Sequence, residues 1–264
     1  MNVEIFAILA IGSYAAGTIL LIRPLPQDKS RSTALLLAWG AVLFHSIYTA
    51  LVAHQNTAFN ISFFSMASLI SLIIAVLLLL ATLTKPVENL GILLFPLTAI
   101  MLALELTLPE KQRLLDTHSW QMNAHIMASI IAFSLLNIAA LQAILLAIQN
   151  QQLKSHPPKR YIQSMPALQI MESLLFQMIA AGLFFLSIAL VSGFIFLEDI
   201  FAQHLAHKTF LSIIAWLIFS SLLLGRRYYG WRGWTAIKWT LLGFLFLLLA
   251  YFGSKLVLEI ILHR

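Results

Sequence analysis

Two histidines stand where an imidazole is expensive to place. His125 lies in SWQMNAHIMASIIAFS (119–134) and His45 in LFHSIYTAL (43–51), both within stretches apolar enough to enter a bilayer. Ionisable residues inside spans are rare and usually face the protein interior. Each ring therefore needs partners for two nitrogens that water does not reach. A serine or carbonyl on a neighbouring helix would serve, and so would a metal. His54, His118, His204, His207 and His263 flank the apolar runs, and His156 sits in a basic linker. Taken singly, a histidine at such an edge is usually a polar residue at the headgroups. Spacing adds to this picture. His118 and His125 are seven apart and share a helix face. Ala124, Ala128 and Ala132 form a small-residue row beside it, which favours close helix packing. His204 and His207 are three apart at the entry of a later run.

An imidazole-rich chamber supports two chemistries. Zinc takes three or four His, Cys or carboxylate ligands; Glu198 and Asp199 could assist the histidines, though no recognisable ligand spacing exists. Two imidazoles from opposite sides can instead hold a planar haem iron axially. Haem also wants an aromatic-lined slot, for which Trp120, Trp216, Phe64 and Phe210 are available, and cations for its propionates, for which Lys111, Arg113 and Lys208 are available. No G-x-S-x-G, H-E-x-x-H or phosphate-binding loop occurs, and the Ser62, Ser65, Ser68, Ser71 series reads as helix-packing glue rather than nucleophiles.

The elements that must position these residues follow from composition. Hydrophobic residues make up 61% of the 264 and charged residues only 10%, against roughly 25% charged in soluble domains. The solvent is therefore a bilayer. Apolar runs near the ~20 residues a span requires predict eight helices, near 3–22, 33–53, 62–84, 88–107, 119–149, 168–197, 206–225 and 235–258. The fold class is all-α, a polytopic membrane helix bundle forming one transmembrane domain over 1–264. The segment SMPALQIMESLLFQMIA (164–180) carries Gln169, Glu172 and Gln177. It predicts an amphipathic helix at the inner interface before the sixth span. The N-terminal run lacks a basic lead and carries Glu4, which reads as a retained first helix.

Eleven of the sixteen Lys and Arg fall in or beside the odd-numbered connections: Arg23, Lys29, Arg31; Lys85; Lys154, Lys159, Arg160; Arg226, Arg227, Arg232 and Lys238. The excess of cations on cytoplasmic loops then places both termini outside, periplasmic in a bacterial inner membrane. The formal charge of +6 belongs to these loops, and nothing in the pattern suggests nucleic acid. The absence of cysteine excludes disulfides, thiolate metal sites, Cys nucleophiles and covalent haem attachment through C-x-x-C-H.

Several stretches in order resemble the CcsA/CcmC-type cytochrome c assembly membrane family, and within it the YpjD/HemX-like branch. They are LFHSIYTAL, NISFFSMASLISLI (60–73), MNAHIMASIIAFSLL (122–136), MPALQIMESLLFQMIAAGLFFLSIALVSGFIF (165–196), HKTFLSIIAW (207–216), GWRGWTAIKW (230–239) and LAYFGSKLV (249–257). The resemblance covers nearly the whole chain. It implies haem handling at the outer leaflet, with histidines as ligands, rather than enzymatic turnover. It also implies export or cytochrome maturation, with other maturation or membrane proteins as partners. His125 matches the family's histidine at the entry of the corresponding span. His207 stands where the family's Trp-rich outer motif ends, and His45 matches a histidine of this branch's second span. The Trp-rich motif itself is replaced by FLEDIFAQHLAHKTF (196–210), and Leu224 and Gly225 stand where assembly members carry a later histidine. The resemblance thus implies binding, export or accessory work more than haem attachment. The residue pattern alone also admits an accessory or regulatory membrane subunit whose histidines only bond other helices. A small-molecule transporter is disfavoured by the lack of an inverted repeat or paired broken helices.

Overall fold

With no water in the hydrocarbon, every backbone N–H and C=O must be paired within its own segment, and a helix does this locally. The computed structural model describes residues 3–22, 27–55, 62–108, 120–153, 168–196 and 203–253, and the described elements are helical. They are α1 (Glu4–Ile22), α2 (Gln27–Gln55), α3 (Phe63–Thr82), a 3-10 turn (Glu88–Leu90), α4 (Gly91–Thr107), α5 (Trp120–Leu153), α6 (Leu168–Phe196), α7 (Gln203–Tyr229) and α8 (Trp234–Leu248), the last running into a π turn (Leu249–Gly253). All eight expected spans are present, each long and apolar enough to cross a membrane. Exposed Phe184, Ile195, Phe210 and Leu217 on their outer faces are suited to lipid. The chain is an all-α, multi-pass membrane protein. Of the expected interfacial helix, 164–167 lies outside the described residues; from Leu168 onward the chain runs as one unbroken helix into the sixth span.

The chain divides into two units, Met1–Asp116 and Thr117–Arg264. In the first, α1 packs on α2 and α4, and α3 on α2 and α4, closing a ring of four helices. The α1–α2 contact is close because it is built of small residues. Ala34, Ala38 and Ala41 are fully buried, and a Cβ on Gly17 would stand 3.3 Å from the Ala34 carbonyl oxygen. Near the start of α2, Arg31 Nη1 meets Glu88 Oε1 at 2.9 Å, pinning the 3-10 turn.

The second unit closes the same way, with α5 on α6 and α8, and α7 on α6 and α8. A Cβ on Gly182 of α6 would fall 2.6 Å from Leu136 Cγ, so glycine sets the α5–α6 separation. Of the predicted alanine row, Ala128 and Ala132 are buried and Ala124 is exposed. Gln142 Nε2 donates to the Met171 carbonyl at 3.1 Å, which satisfies a buried amide between the two helices. Phe133 collects Phe244, Tyr251 and Phe252 around itself, with centroids 4.8–5.7 Å apart. At the opposite end Glu172 is buried and receives Arg232 Nε at 3.2 Å and Arg226 Nη1 at 3.9 Å. Arg226 also lies 3.7 Å over the Phe176 ring. The α7–α8 turn needs positive φ at Gly230 and Gly233, a region open to glycine at little cost.

Candidate functional site

α5 enters its unit with Trp120, exposed at its first position, and brings His125 down a turn and a half to face α6. His125 is half-buried, and its Nδ1 lies 3.0 Å from Ser192 Oγ. Ser192 Oγ also lies 3.1 Å from the Ala189 carbonyl. When its hydrogen goes to that carbonyl, the serine accepts from His125 Nδ1–H, and Nε2 keeps its lone pair. The Ala189 carbonyl also interacts with the ring, so both acceptors come from one turn of α6. This is the arrangement of a metal-ligating histidine, whose second N–H is held by an outer partner that sets tautomer and ring orientation. The residues present therefore fit a haem iron taken at Nε2.

Five residues deeper on α6, Ser187 repeats the pattern with α7. Ser187 Oγ donates to the Leu183 carbonyl at 2.8 Å and accepts from Trp216 Nε1 at 2.8 Å. The indole is thereby locked in orientation on the same helix that orients His125. α7 runs antiparallel to α6. Nine residues separate Trp216 from His207, about 14 Å of helix, and five separate Ser187 from Ser192, about 8 Å. His207 and His125 thus stand within about 6 Å of one another in depth, with Trp216 below both. His207 is exposed.

His45 belongs to the other unit. Its ring is fully buried, Nε2 lies 3.0 Å from Ser68 Oγ, and Tyr14 meets it edge-on at 6.2 Å between centroids. Tyr14 in turn stacks on Phe95 of α4 at 5.9 Å. Ser71 Oγ donates to the Ser68 carbonyl, and Thr98 Oγ1 reaches both the Leu94 and Ser71 carbonyls. Each helix of that unit contributes a buried polar residue to one layer: Tyr14, His45, Ser68 with Ser71, and Thr98.

The remaining sequence candidates divide plainly. Phe210 is exposed, and His54 is exposed at the end of α2. His118, His156, His263, Lys111, Arg113, Glu198 and Asp199 lie outside the described residues. His204 falls in α7, but only its backbone is described. Among the described residues no three His, Cys, Asp or Glu form a group that could hold a metal ion; the described residues offer zinc no cage. What the sequence reading missed were the serines. Ser187 and Ser192 were the signal, since a hydroxyl in an otherwise apolar run must find an acceptor and can orient a donor.

Comparison with known proteins identifies the family. The inner membrane protein YpjD of Escherichia coli strain K12 is 30% identical over 265 aligned positions, covering 97% of this chain and 99% of the relative. A 28.8 kDa protein of Azospirillum brasilense, from the 5′ region of a nifR3-like gene, is 30% identical over 140 positions, 52% of each chain. No solved structure matches. The family model described as cytochrome C assembly protein matches residues 30–262, and the chain belongs to that family.

Proposed function

We propose that the protein binds haem near the outer leaflet of a bacterial inner membrane and handles it for export or cytochrome maturation, without itself being an enzyme. The observation that carries this reading is the Ser192–His125 hydrogen bond with the serine's own proton spent on Ala189. With that assignment of protons, Nε2 of a half-buried imidazole is the nitrogen left to take a ligand. His125 would supply the first ligand to the iron. His207 is the second, favoured by its depth and by sharing a unit with His125. His45 is the weaker alternative, because its Nε2 is already engaged by Ser68 and its ring has no exposed surface. Trp216, held by Ser187, and Trp120, at the start of α5, are the aromatic candidates for lining the site. Bound haem supplies the iron; the protein supplies orientation, a partly dry pocket and a fixed tautomer. Family membership supports a haem-related role, and the relative's inner-membrane name and the distribution of cations support the location and an outside position for both termini. The test is purification from haem-sufficient cells. A Soret band that His125→Ala removes is the expected result; a folded, colourless protein rejects the reading.

One observation favours a second reading. Both span histidines are bonded to serines, as they would be if imidazoles served only to clasp helices in an accessory subunit. In that case the purified protein is colourless, crosslinks to one stoichiometric membrane partner, and loses stability rather than colour on His125→Ala.

A further inference from the structure

The unit Met1–Asp116 contains a feature that haem binding at His125 does not use. Among the described residues neither Tyr14 Oη nor His45 Nδ1 has a hydrogen-bond partner, and both residues have no exposed surface at all. Their rings are in contact, 6.2 Å between centroids. Tyr14 is ten residues into α1 from Glu4, and His45 ten residues from the Gln55 end of α2, so each lies about 15 Å along its helix. That is the middle of a hydrocarbon core about 30 Å thick. A buried polar group left unpaired is costly, and two such groups on rings in contact call for a common partner.

The chemistry of that partner is constrained. The phenol offers a hydrogen and needs an acceptor. His45 Nδ1 is an acceptor if Nε2–H donates to Ser68, and a donor if Ser68 donates to Nε2. Only a small guest that both donates and accepts satisfies the pair in either tautomer. Water does so, typically with about three hydrogen bonds when buried. Tyr48 lies one turn from His45 toward the Gln55 end, and Glu4 and Glu105 act electrostatically on its hydroxyl. The groups facing His45 from its neighbours are otherwise uncharged: Tyr14 from α1 and Ser68 from α3. Tyr48, Glu4 and Glu105 are thus polar residues between His45 and that end of the bundle.

We propose that this unit holds bound water between Tyr14 Oη and His45 Nδ1, in exchange with the aqueous phase at the Glu4–Glu105 end. His45 then has a route for a proton while remaining out of contact with bulk solvent. The inference is independent of haem binding at His125.

Hydroxyl-radical footprinting of the full-length protein in lipid nanodiscs tests it, because brief radiolysis of water marks side chains beside bound water as well as exposed ones. Phe95, equally buried and stacked on Tyr14, is the dry control. Tyr14 and His45 are expected to be modified several-fold faster than Phe95, and to carry ¹⁸O after brief mixing with H₂¹⁸O. Modification no faster than that of Phe95 overturns the proposal, and label without ¹⁸O overturns the route. Tyr14→Phe gives a second readout. If the hydroxyl is hydrated, its removal costs a hydrogen bond and lowers Tm. If the site is dry, removal relieves an unpaired group and raises Tm, which overturns the proposal.

Discussion

Ser192 Oγ, 3.0 Å from His125 Nδ1, reaches from α6 to hold the imidazole of α5 in orientation. Orienting partners of this kind are typically worth about 10- to 100-fold in metal affinity. Ser192→Ala is therefore expected to weaken haem binding by about that factor in a titration followed at the Soret band, while Ser192→Thr, which keeps the hydroxyl, stays close to the parent. A merely structural serine would lower Tm in both haem-loaded and haem-free protein without changing the affinity. Ser68 carries the parallel role in the other unit. Ser68→Ala strips a buried His45 Nε2 of its partner, which costs about 1–3 kcal/mol. The loss is expected as a lower unfolding midpoint in detergent, with no change in haem absorption if His207 rather than His45 is the second ligand. His207→Ala and His45→Ala compared in the full chain separate those two assignments: the former should change the low-spin spectrum and the latter should not.

At the scale of elements, glycine placement dictates which helices can touch. A side chain at Gly182 meets Leu136 Cγ at 2.6 Å, so Gly182→Leu forces α5 and α6 apart. Overpacking of this kind typically costs about 1–3 kcal/mol, and here it also pulls Ser192 from His125. Gly12 has open space around its Cβ direction, and Gly12→Ala is expected to leave thermal stability unchanged. The eight helices were legible in the sequence because a span of about 20 apolar residues announces itself by length. The cyclic order of packing was not legible, because α5, α6 and their neighbours are apolar all round and no face is marked. The histidines could be singled out by their rarity in such surroundings. Their serine partners could not, since a serine 67 positions away in the chain carries no sign of which ring it will meet. Glu172 shows the same limit. It suggested an interfacial helix, yet it is buried against Arg226 and Arg232 on an unbroken α6.

For the molecule as a whole, orientation is the property that gives the histidines a side of the membrane. The chain has no cysteine, so single cysteines can be introduced one at a time. Gln55→Cys is expected to react with an impermeant maleimide in intact cells, and Lys85→Cys only after permeabilisation. The opposite pattern would put His125 on the cytoplasmic side. Both residues are exposed at helix ends, so neither substitution disturbs the core.

The helices differ in length in a way that bears on the choice of lipid. α5 has 34 residues and α6 has 29, about 51 Å and 44 Å of rise, whereas α1 has 19 and α3 has 20, about 30 Å each. The short pair matches an average bilayer core; the long pair exceeds it by a third or more. α2, with 29 residues, belongs with the long helices, so hydrophobic mismatch is unevenly distributed along the chain. Thinning or thickening the surrounding lipid should strain α1 and α3, whose lengths are matched, and leave α2, α5 and α6 free to tilt within their surplus. Acyl-chain length is thus a lever on the helices of Tyr14 and Ser68 more than on those of His125 and Ser192.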